Sequence, residues 1–398
     1  MNSDLQAKKQ SNMVTLQGLF LCVILFAVLG FAPIIPPKIS RLLRPAFVLA
    51  CIILGPHFNY RMGATKWHLI NLLYLTVIFV QYPFTENAVS SYISMAAFFL
   101  FLIVASNKVW TRKEITMIMN AVIVACTIQA IIIVTSNPGI FRESGNQHIK
   151  FLGQTVNRNP ISFAIVSGAI CAFVSLFYDR YNKRAFSLAF NGICALICTF
   201  TVFILGCRSA FWATALGIIL ICWQTIRDEK DPKARSTKRI IFIIVLVIAV
   251  IIGMHVSSGT YSERLFEIAD EEGFGSGRDK IWEEAWAAIK LKPLFGGGFD
   301  YWEQSGGTMG THNTFLLYML YGGAISGFLL VMFFLSTFRE IWKSNNLVPF
   351  ALSMEALFHS ISETDLDYYG CIPLILALIV ARYLQSKHCN MRQLFKPS

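Results

Sequence analysis

Three positions carry side chains suited to chemistry on a phosphorylated sugar. They are Arg208 in Leu205-Gly206-Cys207-Arg208-Ser209-Ala210, Arg278 in Gly275-Ser276-Gly277-Arg278-Asp279-Lys280, and His312 in Gly310-Thr311-His312-Asn313-Thr314. A guanidinium is a fork of fixed donors that matches a diphosphate, and an imidazole accepts a proton near neutral pH. Attack by a hydroxyl on such a sugar needs both, a fixed positive charge for the leaving group and a base for the nucleophile. Each residue taken alone has a structural use. An Arg between spans can snorkel to lipid head groups, an Arg that opens a surface helix can contact lipid, and a His beside Asn313 can help to start a helix. It is the three together that point to chemistry.

The elements that must position them are membrane helices. Of 398 residues 55% are hydrophobic and 14% charged, where a soluble domain has about 25% charged. Apolar runs bounded by charge, Pro or Gly predict an all-α, polytopic bundle of about twelve spans near 14–32, 45–56, 67–82, 91–106, 115–135, 160–178, 186–205, 209–226, 240–256, 313–337, 347–361 and 371–384. The first run is too long for a secretory signal and lacks a good cleavage site, so it reads as a retained span. Basic residues place both termini in the cytoplasm, with Arg227 to Arg239 as the firmest anchor and Lys38, Arg41 and Arg44 as exceptions. The chain then divides into an N-terminal bundle of about nine spans (1–256), a large extracytoplasmic loop (257–312), and C-terminal spans with a cytoplasmic tail (313–398). Within the loop, Trp282, Ala285, Trp286 and Ile289 recur at helical spacing, which predicts an amphipathic helix along the membrane surface. Pro293 and Gly296-Gly297-Gly298 are expected to end it and leave a mobile connection to His312.

The net charge of +11 is spread over short segments between spans, which speaks against nucleic acid as a partner. Most of the ten cysteines lie inside apolar runs without metal-type spacing and read as small apolar fillers. A transporter or flippase is the rival class to an enzyme. Repeated halves and ionisable groups at midplane would favour it, and the sequence shows no evident repeat and nearly uncharged spans.

The stretch Gly277-Arg278-Asp-Lys-Ile-Trp-Glu-Glu-Ala-Trp, then Lys292-Pro293-Leu-Phe-Gly-Gly-Gly298 and Thr311-His312-Asn313-Thr-Phe-Leu-Leu-Tyr-Met-Leu-Tyr-Gly322-Gly323-Ala-Ile-Ser-Gly327, resembles the signature region of the bacterial O-antigen ligase and O-antigen polymerase superfamily. Gly206-Cys207-Arg208-Ser209-Ala210 resembles that family's Arg-bearing turn. The resemblance implies a metal-independent, inverting glycosyltransferase of the bacterial inner membrane with no cofactor, its site on the extracytoplasmic side, making surface polysaccharide. The donor would be a glycan on undecaprenyl diphosphate, and the acceptor a glycan or lipid A-core. Membrane lipids surround it, and flippase and chain-length regulator proteins are implied accessory partners. Carried over by residue, Arg208 and Arg278 would hold the diphosphate and His312 would take the acceptor proton, making these three the catalytic set. Arg142, Arg158, Asn313 and Glu363 would bind substrate, with Glu363 chosen from the acids Glu363, Asp365 and Asp367. Polymerase members also resemble the chain where Arg142 precedes Gly153 after ten residues, so the reading leans to polymerase, with ligase as the alternative.

Overall fold

The structure is a computed structural model that describes residues 16–31, 46, 66, 69–71, 73, 86–108, 110–138, 148–179, 185–240, 242–243, 278–307, 310–364, 371–387 and 391–395. Its helices are α1 (Leu16–Phe31), α2 (Glu86–Asn107), α3 (Arg112–Ser136), α4 (Arg158–Asp179), α5 (Ala185–Leu205), α6 (Arg208–Arg227), α7 (Arg278–Leu291), α8 (Tyr301–Gln304), α9 (Thr314–Trp342), α10 (Leu347–Ser362), α11 (Cys371–Lys387) and α12 (Met391–Phe395). Five of them, α3, α4, α5, α6 and α9, are long and apolar enough to cross a membrane over most or all of their length. The expected spans near 45–56, 67–82 and 240–256 lie largely outside the described residues, as does most of the first half of the expected outer loop.

One departure from the all-α expectation is a hairpin, β1 (His148–Phe151) against β2 (Gln154–Asn157), antiparallel with Ile149 opposite Val156. Ile149 and Phe151 are buried. The Asn137 side chain grips the hairpin at Lys150 from both sides, its amide donating to Lys150 O at 2.8 Å and its carbonyl accepting from Lys150 N at 2.8 Å. A segment between two apolar runs thus closes on α3, and its far end runs straight into α4.

Local sequence sets the helix starts. Thr111 and Glu114 form a reciprocal capping box at α3, and the Asn346 side chain accepts from Val348 N to cap α10. The core is aromatic and aliphatic, with Phe98, Phe99 and Phe333 meeting edge to face. Among the described residues Cys22, Cys126, Cys171, Cys194, Cys198 and Cys207 are free and buried, and an added Cβ on Gly168 would lie 2.3 Å from that of Cys126. Small side chains let α3 and α4 approach closely there.

Segments expected on one side of the membrane meet each other. At one end Arg112 Nε donates to Leu394 O at 2.5 Å, Tyr178 Oη to Asp228 at 3.1 Å, and Arg227 Nη2 to Asn345 Oδ1 at 2.5 Å. The opposite end gathers the starts of α4, α6, α7 and α9 and the end of α10.

The glycine run after α7 is not the mobile connection that its composition suggests. It docks into a break in α9, where Gly322 and Gly323 leave helical geometry. Gly297 N donates to Leu320 O at 2.9 Å, Gly298 N to Tyr321 O at 3.0 Å, and Ala324 N to Pro293 O at 2.8 Å, so carbonyls and amides freed by the break are paired. Gly323 has φ +66°, and a Cβ there would lie 2.2 Å from Leu294 C and O. Gly323→Ala is therefore expected to cost about 2–4 kcal/mol. A thermal melt in detergent and protease access at 294–298 check this, and an unshifted melt would contradict the interlock.

Candidate functional site

At the end of the bundle where α4, α7, α9 and α10 meet, one carboxylate organises the side chains. Glu363 follows the last turn of α10 and is 4% exposed. Its Oε1 takes Arg278 Nη2 at 3.0 Å and Asn159 Nδ2 at 2.9 Å, while Oε2 lies 2.9 Å from His312 Nδ1. Arg278 also donates through Nη1 to Ser362 O at 2.7 Å. Burial alone pushes the Glu363 carboxyl up. The hydrogen bond and charge of His312, the Arg278 guanidinium and the Asn159 amide outweigh that and hold it below the usual carboxylate value. The group is an anion wedged between a cation and an imidazole.

The backbone presents His312 in an unusual way. Its φ is +47°, a left-handed conformation that few non-glycine residues adopt. Three contacts hold the turn: Trp282 Nε1 to Thr311 O at 3.0 Å, Asn313 Nδ2 to Ile361 O at 3.2 Å, and Thr314 Oγ1 to Glu363 O at 2.8 Å. The turn is thus stapled to α7 on one side and to the end of α10 on the other. Nδ1 faces the carboxylate, so Nε2 is the ring nitrogen not used in that contact.

The amphipathic helix expected at 279–291 is α7. Its packed face is Ala285, Ala288 and Ile289, with Ile281 and Trp282 partly buried against Leu316, Leu320, Tyr301 and Trp302. Trp286, on the apolar stripe expected along the membrane surface, is exposed together with Leu291, Leu294 and Phe295. Trp282 donates to Thr311 O instead of joining them.

Arg208 opens α6 at this end. A short turn through Gly206 and Cys207 separates it from α5, and Gly206 takes φ +64° there. An added Cβ on Gly206 would sit 3.8 Å from Arg158 Nη1, which places Arg158 against the same turn. Cys207 is pushed up to about 11 by burial, with smaller influences from its hydrogen bond to Ala210, from the Glu363 charge, and from Arg158 and Arg278. The Arg208-bearing turn is therefore electrostatically part of the same cluster, and the thiol itself stays protonated near neutral pH.

Two of the residues expected to bind substrate, Asn313 and Glu363, make contacts within the protein. Asn313 uses its carbonyl to cap α9, accepting from Phe315 N and Leu316 N, and its amide to reach Ile361 O. Both ends of that side chain are occupied because the helix start and the end of α10 meet there. Both oxygens of Glu363 are engaged by Arg278, Asn159 and His312. Arg142, Asp365 and Asp367 lie outside the described residues. Asn159 was not anticipated, although Asn157-Arg158-Asn159-Pro160 has the pattern of a helix start, with Pro in the first turn. Among the described residues no three His, Cys, Asp or Glu side chains gather as a metal set.

Residues 193–343 match the family model described as O-antigen ligase. That match bears out the resemblance to the O-antigen ligase and polymerase superfamily, and the segment contains Arg208, Arg278 and His312. No curated protein matches the chain.

Because the Glu363 carboxyl is depressed, its stabilising contribution is present above the ordinary carboxylate value and is lost as pH falls through the lower folded value. Glu363→Gln is expected to cost about 1–3 kcal/mol near neutral pH, since it leaves Arg278 without its counter-charge. The difference in melting temperature between wild type and variant should close as pH falls below the ordinary carboxylate value and Glu363 becomes protonated. A difference that persisted in strong acid would contradict this assignment.

Proposed function

We propose that this protein is an inverting glycosyltransferase of the bacterial inner membrane. It moves a glycan from undecaprenyl diphosphate to a sugar hydroxyl at the outer face, in surface polysaccharide biosynthesis. The match to the O-antigen ligase family supports membrane glycan transfer of the ligase or polymerase type in general. The observation that carries the finer reading is the triad-like line Arg278, Glu363, His312, with contacts of 3.0 and 2.9 Å.

In this reading His312 Nε2 takes the proton of the acceptor hydroxyl as that oxygen attacks the anomeric carbon. The bond from that carbon to the diphosphate oxygen breaks, and the leaving group keeps the electron pair. Glu363 fixes the imidazole through Nδ1 and stabilises the imidazolium that forms, as a buried carboxylate does for a base of this kind. Arg208 and Arg278 face the charge that develops on the diphosphate, and Arg158 adds positive potential beside the same turn. Attack from the face opposite the diphosphate inverts the anomeric centre. The substrates expected from this chemistry need no cofactor and no metal. The basic segments Arg112 to Lys113 and Arg227 to Arg239, together with the C-terminal α12, fit the cytoplasmic side, which leaves the Glu363 end outside.

The earlier Arg142–Gly153 spacing favours chain extension over attachment to lipid A-core. Gly153 stands in the turn of the hairpin whose second strand leads into α4, and Arg142 lies outside the described residues.

His312→Ala is expected to reduce transfer by about 10²–10⁴-fold, and Arg208→Ala and Arg278→Ala by about 10²–10³-fold, in cells that depend on this protein and with insertion confirmed. Lipid-linked single units accumulating outside would mark a polymerase, and long lipid-linked chains that never reach core a ligase. Donor trapped on the cytoplasmic side would mark a transporter, and unchanged surface polysaccharide in His312→Ala would remove the catalytic assignment.

A further inference from the structure

Beneath Glu363, α4 and α10 meet in three rungs one helical turn apart. Asn159 Nδ2 donates to Glu363 Oε1 at 2.9 Å. Four residues deeper on α4, Phe163 lies flat on the His359 ring, with centroids 4.4 Å apart and planes at 2°. Four deeper again, the Ser167 hydroxyl donates to the Glu355 carboxyl. Each step advances four residues along α4 and retreats four along α10, so all three pairs belong to one antiparallel register.

The two lower rungs are costly by composition. Glu355 is 1% exposed and His359 0%. Among the described residues Glu355 Oε1 and both His359 ring nitrogens have no hydrogen-bond partner. Apolar side chains at these positions would avoid that desolvation. What they would not supply is register. Helices in lipid have no hydrophobic drive to associate, and smooth apolar faces permit sliding. A slip of one turn, about 5.4 Å, would set Glu355 opposite Phe163 or Cys171 and take Asn159 away from Glu363.

We propose that these rungs are a register lock between α4 and α10, and that Asn159, the outermost, is a positioning residue for the transfer site. It shares Oε1 of Glu363 with Arg278 and so keeps Oε2 turned to His312. Asn159 is itself set from outside the ladder, because Asn157 Oδ1 accepts from Asn159 N at 3.0 Å at the end of β2. The catalytic half of this inference rests on His312 as the base.

The groups that lower the Glu363 carboxyl are His312 before α9, Arg278 on α7 and Asn159 at the start of α4, while Cys207 before α6 and His359 one turn down on α10 feel its charge. From α11 the described basic groups are Arg382 and Lys387, in its far half. Losing the Asn159 amide removes one of the influences that lower the Glu363 carboxyl, so Glu363 protonates at a higher pH.

The test uses the full chain in lipid nanodiscs with undecaprenyl-diphosphate oligosaccharide extracted from the host. Asn159→Leu is expected to lower kcat about tenfold, leave donor KM within about twofold, and move the acid limb of the pH profile up by about half to one unit. Asn159→Gln, which keeps the amide, should return the limb towards wild type. Ser167→Ala, which breaks only the deepest rung, should move it in the same direction by less. A readout independent of transfer is the infrared carboxyl band assigned to Glu363 by difference with Glu363→Gln, which should titrate at higher pH in Asn159→Leu. An unshifted band would overturn the positioning role, as would a change confined to donor KM, and an unmoved limb and band in Ser167→Ala would overturn the lock. Should Asn159→Leu fail to fold, Asn159→Ala is read in the same way. Loss of the His312 assignment would show separately, as full transfer by His312→Ala with the infrared shift still present.

Discussion

Where α4, α7, α9 and α10 meet, the polar contacts of the described residues centre on the Glu363 carboxylate. It is the one anion where Arg278, His312 and Asn159 arrive together from three separate stretches of chain. Removing a carboxylate from water is unfavourable, and only its direct donors make a buried ion tolerable. The same contacts that offset that cost fix the donors in place. The carboxylate therefore stabilises the fold locally and orients the imidazole through one set of hydrogen bonds. Its position just past the last turn of α10 lets it face outward while the helix beneath stays in the apolar core.

A carboxylate can organise a site only if the elements carrying its partners are themselves immobile. On the His312 side this is achieved by backbone, not by side-chain bulk. The turn at Gly296–Gly298 inserts into the break of α9 at Gly322 and Gly323, and amide-to-carbonyl bonds replace those the break sacrifices. α7 is then clamped between this interlock and the Trp282 bond to Thr311. The left-handed backbone at His312 persists because contacts on both sides over-determine it. On the Asn159 side the fixing element is the hairpin, held at Lys150 by Asn137.

The helices were legible because lipid demands long apolar runs, and the runs near 115–135, 160–178, 186–205, 209–226 and 313–337 coincide with α3, α4, α5, α6 and α9. Arg278 and His312 were legible because unusual residue types stood beside glycines and a helix start. The glycine run was misread as loose, since composition shows that a backbone is free to bend but not what it bends against. Trp286 and Trp282 have the same helical spacing, and only the tertiary partner Thr311 decides which of them packs. Asn313 and Glu363 were read as substrate-binding, and their contacts within the protein, Asn313 with Ile361 and Glu363 with Asn159, Arg278 and His312, join segments far apart in sequence and so were not legible there. Glu355 and His359 went unread inside a run taken as nearly uncharged, and their partners on α4 were not legible, because antiparallel register is a property of two helices.

The balance of charge around the site follows from the same constraint. Among the described residues both oxygens of Glu363 are engaged, Arg278 is one of its partners, and Arg158 and Arg208 stand at the Gly206–Cys207 turn. In the proposed transfer a diphosphate would find a matching guanidinium fork here. One carboxylate, Glu363, holds both the Arg278 guanidinium and the His312 imidazole, so the proposed base and one proposed diphosphate ligand are set by a single group.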